Sequence, residues 1–316
     1  MANNILGSTQ SVQYVEIGEK HEGQRVDNFL IAVLKGVPKS RIYRMLRKGE
    51  VRVNKKRCKA TVRLAMNDLV RIPPVRMDIQ TDKVFVPQRL RHSLVDDILY
   101  EDASLLVLNK PSGFPVHGGS GVRSGIIEGL REIRPDHRFL ELVHRLDKDT
   151  SGCLIVAKKR SALRKLHEYF RGDGVSKTYL ALLVGVWPQQ KQWVDVPLLK
   201  NISKGGERMV VVSPQGKSAE TAFRRLGVYK TATLVEARPK TGRTHQIRVH
   251  AKWLGHPIVG DERYGDTESV NAFKANGFDR LMLHAHQLTF KHPETEQPFT
   301  VTAELPTKIT TLLTRL

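Results

Sequence analysis

The acidic residue with the most unusual setting in this chain is Asp147. It stands in "LVHRLDKDTSGCLIVAKK" (142–159), with Arg145 two residues before it and Lys148 directly after. A Thr150-Ser151-Gly152 turn follows and leads into a short apolar strand. A carboxylate set among cations keeps its charge, which suits a nucleophile or an electrostatic anchor. The same position also suits an aspartate that caps the turn made by Thr150 and Ser151. A second chemically loaded stretch is "RPKTGRTHQIRVHAKWLGHPIVGDERYG" (238–265). There a strand ends near Pro239, "KTG" turns, and a helix opens around Thr244 with Ile247, Ala251 and Leu254 on its buried face. Arg243 stands at the mouth of that turn, where a guanidinium can meet a carboxylate from another loop, face a phosphate or remain solvated. "NKPSGFPVHGGSG" (109–121) carries a strong turn signal at Lys110-Pro111-Ser112-Gly113, either a wall for an active site or a plain turn. In "SKTYLALLVG", Tyr179 alternates with apolar residues, as a packing residue does and as a ring offered to a planar base does. Six histidines (His245, His250, His256, His284, His286, His292) crowd the C-terminal half. They form no HExxH pattern and no cysteine pair joins them, so no metal site is expected.

The elements that must position these residues follow from hydrophobic periodicity. "SLLVLNK", "CLIVAKK", "KTYLALLVGVW" and "TATLVEARP" read as strands, with a helical stretch over Ser161–Phe170. Strands often succeed one another without a helical crossover, which predicts a mixed, largely antiparallel sheet rather than a Rossmann arrangement. GxGxxG and GxxxxGK[ST] are both absent from the sequence, so nucleotide-fold fingerprints are missing. Nearer the N-terminus, Val26, Phe29, Leu30, Val33 and Leu34 have helical spacing. Ser40 is placed to cap a second helix over Arg41–Lys48, whose inner face is Ile42, Met45 and Leu46, with Gly49 as its C-cap. "VRVN", a Lys-rich turn and "DLVRIPP" complete a small sheet. The expected divisions are a tail over 1–19, a small basic module over 20–80, a connector over 81–95 and a large domain over 96–316.

Charge separates the two halves. The 316 residues carry 52 Lys and Arg against 32 Asp and Glu, a net charge of +20. Residues 1–90 alone hold 18 Lys and Arg against 8 Asp and Glu, so under a third of the chain supplies half the surplus. Within 39–59, ten of 21 residues are basic: Lys39, Arg41, Arg44, Arg47, Lys48, Arg52, Lys55, Lys56, Arg57 and Lys59. Such a concentration calls for a polyanion, nucleic acid before membrane, because no amphipathic anchor or lipidation signal accompanies it. Two cysteines, Cys58 and Cys153, are too few for a disulfide scaffold and fit a reduced, cytoplasmic protein. The N-terminal "MANNILGSTQSVQ" lacks the pattern of a signal peptide, and the apolar run "YLALLVGVW" is half the length of a membrane span. A soluble protein is expected.

Together, "HRLDKDTSG", "NKPSGFPVHGG", "KTYLALLVG" and "GRTHQIRVHAKWLGHPIVGDERYG" resemble, in order, the motifs of the RluA-type pseudouridine synthases. The resemblance covers roughly residues 92–316. Residues 20–80, with "GVPKSRIYRMLRKGEVRVNKKR", resemble the S-four-like RNA-binding domain that some members carry in front. The resemblance implies an α+β protein: a small α/β RNA-binding domain, then a catalytic domain with a mixed, largely antiparallel central sheet flanked by helices. It implies isomerisation of uridine to pseudouridine without cofactor or metal, on large-subunit ribosomal RNA or its assembly precursor; two domains joined by a connector are expected to act as a monomer that clamps RNA. It assigns the essential carboxylate to Asp147 and the group that fills the vacated base stack to Arg145. It also implies that Tyr179 stacks on the flipped uracil and assists deprotonation at carbon 5, that Arg243 pairs with Asp147, and that Ile247 closes the apolar side of the pocket. The cations at Lys39, Arg41, Arg44, Arg47, Lys48, Lys55, Lys56 and Arg57 then hold RNA backbone. Two other readings fit the same basic module: an RNA-binding assembly factor without essential catalysis, and a synthase acting on transfer RNA.

Overall fold

The computed structural model describes residues 11–34, 37–75, 86–118, 124–202 and 208–316. The chain divides into two compact units, Met1–Lys83 and Val84–Leu316.

In the small unit, β1 (Gln13–Glu16), α1 (Val26–Val33), α2 (Lys39–Lys48), β2 (Arg52–Val53), β3 (Lys56–Arg57) and β4 (Leu69–Ile72) build an antiparallel sheet of order β1-β4-β2-β3 with two helices. Residues 13–16, expected in the tail over 1–19, instead pair with β4, because Val15 and Ile17 alternate inward onto the small core while Tyr14 and Glu16 stay exposed. Val26, Phe29, Leu30, Ile42, Met45 and Leu46 are buried together, as their spacing predicts. The start of α2 differs from expectation. Pro38, not Ser40, is the N-cap, since its fixed φ (−57°) with an extended ψ (139°) lets its carbonyl accept from Arg41 and Ile42 N–H at 2.9 and 3.2 Å. Gly49 ends the helix in the left-handed conformation (φ 71°). Asn54 and Lys55 have φ of 48° and 66°, the tight turn that matches the twist of a two-residue hairpin. Arg41 is half-buried, 3.8 Å from Glu50, while Lys39, Arg44, Arg47, Lys48, Lys55, Lys56 and Arg57 are exposed.

The large unit opens with α3 (Gln88–Asp96). Most of α3 falls in the expected connector over 81–95. It is ordered as helix because Leu90 and Leu94, four apart, bury against a core containing Leu106, Leu130 and Leu154; residues 81–85 lie outside the described residues. There follow β5 (Ile98–Glu101), β6 (Leu105–Lys110), α4 (Ile126–Ile133), β7 (Glu141–Leu142), β8 (Ser151–Ala157), α5 (Arg160–Arg171) and β9 (Val175–Val184). Next come β10 (Lys191–Asp195), β11 (Leu198–Ile202), β12 (Arg208–Val212), β13 (Glu220–Val228), β14 (Ala232–Pro239) and α6 (Gln246–Trp253). The unit closes with α7 (Thr267–Ala275), β15 (Leu283–Lys291), β16 (Pro298–Thr302) and α8 (Thr307–Leu313).

The central sheet runs β10-β13-β14-β9-β15-β8-β6-β5, with β16 on β15 and β7 on β8. Its named pairs are antiparallel apart from β8 with β15, so the sheet is mixed and largely antiparallel. The period of two sorts β6 and β8 into two cores. Leu106, Leu108, Leu154 and Val156 pack with α3 and α4, while Leu105, Val107, Cys153, Ile155 and Ala157 pack with Leu166 of α5. The parallel β8–β15 contact is tight at Gly152. That residue has φ +105°, and a Cβ there would come 2.3 Å from the Ala285 carbonyl oxygen, so only glycine fits. Among the described residues no helix is long and apolar enough to cross a membrane.

Candidate active site

Asp147 lies in the loop between β7 and β8, just before the turn that Gly152 permits. Leu146 is buried in the core and Arg145 is exposed, so the alternation leaves Asp147 part-way open, with 28% of its side chain accessible. It lines a cleft of about 1250 Å³ together with Arg145, Lys110, His245, Arg248 and Asp261.

The cation beside Asp147 is Arg248, from the middle of α6. Its Nη1 donates to Asp147 Oδ2 at 3.3 Å. Its Nε and Nη2 grip the buried Asp261 at 2.8 and 2.7 Å in a two-pronged pair, and its guanidinium sits over the Tyr264 ring at 5.1 Å. Burial opposes the charge on Arg248, but the hydrogen bonds and charges of Asp261 and Asp147 hold its proton affinity above the ordinary arginine value. This is the arrangement an active carboxylate needs, a cation anchored independently and aimed at one oxygen. No described group hydrogen-bonds Oδ1.

His245, the N-cap of α6, approaches the same oxygen, with Nε2 3.8 Å from Asp147 Oδ2. Its backbone is in the left-handed region (φ 54°), a strain the surrounding contacts must hold. Its Nδ1 lies 2.7 Å from the Tyr264 hydroxyl, which accepts from the Val210 N–H at 3.2 Å. The contacts are satisfied when Tyr264 donates to Nδ1 and Nε2 carries the imidazole proton on the Asp147 side. Burial, with Arg248 and Arg263 against the pull of Asp147, lowers the pKa of His245 and favours this neutral form.

The other wall is tied directly to the Asp147 loop. Lys110 is buried at the end of β6, and its Nζ donates to the carbonyls of Pro111 (2.8 Å), Phe114 (2.7 Å) and Lys148 (2.9 Å). Those three acceptors use all the donors of an ammonium group. Burial pulls its pKa down to about 7, against the charges of Asp149 and Asp147. Gly113 N–H also reaches the Lys148 carbonyl at 3.0 Å, and Ser112 Oγ donates to that of Asp149 at 2.7 Å. The Lys-Pro-Ser-Gly turn therefore lines the cleft and clamps the loop beside Asp147.

The remaining residues marked in the sequence fall as follows. Arg145 lines the cleft. Arg243 does not pair with Asp147: its Nε donates to the Ser218 carbonyl at 2.9 Å, while its N–H donates to Gln246 Oε1 at 3.0 Å. The turn carrying it leads into α6, and the helix itself, one turn later, brings Arg248 to the carboxylate. Ile247 does not close the pocket either. It is buried in the main core with Ala237 and Ala251 and is not among the cleft-lining residues. Tyr179 is half-buried in β9, joined through Ala285 to the strand that carries Gly152, and is not among the cleft-lining residues. Burial first, then the charge of Asp147, raises its pKa above the ordinary phenol value. Asp147 contributes to the Thr150 turn through its carbonyl, at 3.2 Å from Thr150 N–H, which leaves its carboxylate for Arg248.

Under the Asp147 loop, Arg280 Nη2 donates to Ser151 Oγ (2.8 Å), Ser151 meets His284 Nδ1 (2.8 Å), and His284 Nε2 meets the Ala303 carbonyl (2.8 Å). These contacts are met by a neutral imidazole that accepts from Ser151 and donates to Ala303, and burial favours that form by lowering the pKa of His284 to about 4. The unfolded chain binds a proton there near pH 6.5, so stability is fully present above that pH and is lost as pH falls toward the folded value. Lowering the pH from 7 to 5 is expected to cost roughly 2 kcal/mol through His284. Urea midpoints at the two pH values measure it, and a His284→Gln variant shows a smaller loss over the same range.

Comparison with known proteins decides the family. The RNA pseudouridylate synthase family model matches residues 104–253, and the S4 domain model matches residues 24–70. The chain is 55% identical over 300 residues to the ribosomal large subunit pseudouridine synthase C of Salmonella typhimurium, covering 94% of each chain. This chain belongs to the RNA pseudouridylate synthase family. The protein of the same name from Haemophilus ducreyi is 54% identical over 310 residues, 97% of this chain and 96% of that one. Among solved structures, human RNA pseudouridylate synthase domain containing 4 is similar at 31% identity and a TM-score of 0.59, over 72% of this chain and 95% of that one. The chain is thus an RNA pseudouridine synthase of α+β architecture with an S4 domain in front. Sequence reasoning gave no site role to Arg248, Asp261 or His245 of this synthase, and it read the Lys110 turn as either an active-site wall or a plain turn. In the structure residues 246–251 of α6 are all buried, which obliges Arg248 to have a carboxylate partner, and the sequence holds Asp261 in the same quoted motif.

Proposed function

We propose that this synthase converts uridines of large-subunit ribosomal RNA to pseudouridine, with Asp147 as the nucleophile. The observation that carries the reading is the carboxylate of Asp147, held through Oδ2 by an Arg248 that Asp261 anchors, on the wall of an open cleft. A uridine inside folded RNA must leave its stack to enter the cleft, at a cost of a few kcal/mol. Arg145, exposed on that cleft, takes the vacated place, where a planar guanidinium stands in for a base. In the reaction the bond from N1 to the sugar breaks, the uracil turns, and a bond forms from carbon 5 to the sugar. Carbon 5 then loses its proton and N1 gains one. Nothing is oxidised or reduced, so the isomerisation needs no cofactor. With its pKa raised by burial, Tyr179 is a neutral phenol packed against the core, which supports a packing role over a phenolate base. The exposed cations Lys39, Arg44, Arg47, Lys48, Lys55, Lys56 and Arg57, with Arg41, hold RNA backbone and add affinity more than site choice. Arg243, through the turn it stabilises, supports the opening of α6. The enzyme acts in the cytoplasm, as a monomer whose elution volume does not change on dilution.

The test is a pseudouridine map of large-subunit RNA from a strain lacking this protein. Specific sites are expected to read as uridine, to be restored by the wild-type chain and not by Asp147→Asn. An unaltered large-subunit map with altered transfer RNA would move the substrate to transfer RNA.

A further inference from the structure

The cleft that holds Asp147 extends to a stretch lined by Lys274, Arg280, Met282 and Lys308, and Arg89 of α3 borders it. Arg280 is half-buried just before β15. Its one described hydrogen bond is the Nη2 contact to the neutral Ser151 hydroxyl, and its Nε is sealed from solvent with no partner. Among the described residues no carboxylate comes within ion-pair range of Arg280 or Arg89. Burial weakens the hold of Arg280 on its proton against the charge of Asp279, and Arg89 adds a smaller push in the same direction as burial. Two guanidiniums that repel one another on a partly desolvated cleft wall, without a described carboxylate to balance them, call for an anion to complete them. Arg280 lines the same cleft as the reactive carboxylate and is tied to its loop. Ser151, bound directly by Arg280, is four residues after Asp147, and the Lys110 ammonium feels the charges of both Asp147 and Arg280.

We propose that Arg280 and Arg89 form a phosphate site in the cleft, which takes a backbone phosphate of the RNA next to the uridine held at Asp147. The proposal rests on the RNA reading above and deepens it. A planar guanidinium fork fits phosphate oxygens two at a time, and one phosphate fixed beside a flipped nucleotide sets how far the base enters. Arg280 and Arg89 are then positioning residues for binding, outside the bond-making step.

The experiment uses the full-length protein and an RNA stem-loop that it binds, made with a single neutral methylphosphonate in place of each phosphate flanking the target in turn. In wild-type protein one such replacement is expected to raise Kd about tenfold, the loss of one charge-assisted contact. Arg280→Gln should raise Kd and KM by a similar factor, with kcat within about twofold, and lower the slope of log K against log salt by about one unit. The same methylphosphonate should then have no further effect on the variant. Arg280→Lys should recover part of the affinity, and the surface variant Arg89→Gln should show the same coupling in a side chain whose loss leaves the fold intact. If every neutral phosphate weakens both variants as much as wild type, the site is overturned and Arg280 serves only to support Ser151. Because the coupling is read from binding, it is separable from any failure of the isomerase reading, which the pseudouridine map reports.

Discussion

Replacing Asp147 by asparagine is expected to abolish pseudouridine formation and leave the fold standing. The substitution is close to isosteric and removes the charge that would attack while keeping an oxygen for Arg248 to meet. Removal of a reacting side chain costs about 10⁴- to 10⁶-fold in turnover in well-studied enzymes, so activity should fall below detection in a single-turnover assay that follows release of the carbon 5 proton from labelled uridine. Stability should change by no more than about 1 kcal/mol, because the side chain is partly solvated and Arg248 keeps its two bonds to Asp261. RNA affinity should survive as well, since the exposed cations of the small unit are untouched. A variant that still turned over at the wild-type rate would remove Asp147 from the chemistry and return it to the turn that its carbonyl already closes.

Much of this was legible in the chain. The period-two strands, the helix over 160–171, the helical spacing of Val26, Phe29 and Leu30, and the Gly49 cap are local features, each dictated by residues close in sequence. The seating of Asp147 was legible for the same reason: Arg145, Leu146 and the Gly152 turn act within a few residues of it. What could not be read locally was which arginine reaches it. Arg243 and Arg248 are five residues apart, and the choice between them depends on the rotation of α6, which is set by Ile247 and Ala251 burying against β14 on one side. That rotation turns Arg248 toward the cleft and leaves Arg243 on the turn beside Ser218. β1 and α3 were misread for a related reason. Their apolar residues are few, and their burial depends on partners far along the chain, Ile72 for one and Leu130 for the other.

Arg248→Met should therefore damage both stability and catalysis, while Arg243→Met should do little. Methionine fills the volume but leaves Asp261, which is 1% exposed, with an uncompensated charge, a loss of about 3–5 kcal/mol. Its Oδ1 keeps only the N–H groups of Arg263 and Tyr264, at 3.2 and 3.1 Å, and these cannot balance the charge. Asp147 loses its orienting donor at the same time. Arg248→Lys separates the two effects: an ammonium can stay with Asp261, but it cannot reach two carboxylates with a flat three-point fork. That variant should fold, with a melting temperature near wild type, and lose about 10²- to 10³-fold in kcat, the range seen when a single preorganised hydrogen-bond donor is removed from an active site. Arg243→Met gives up a contact to the Ser218 carbonyl on an exposed side chain, worth about 1 kcal/mol at most. If kcat fell with Arg243→Met and held with Arg248→Lys, the pairing inferred from the motif would be restored against the geometry. The opposite result makes α6, rather than the turn before it, the element that arms Asp147.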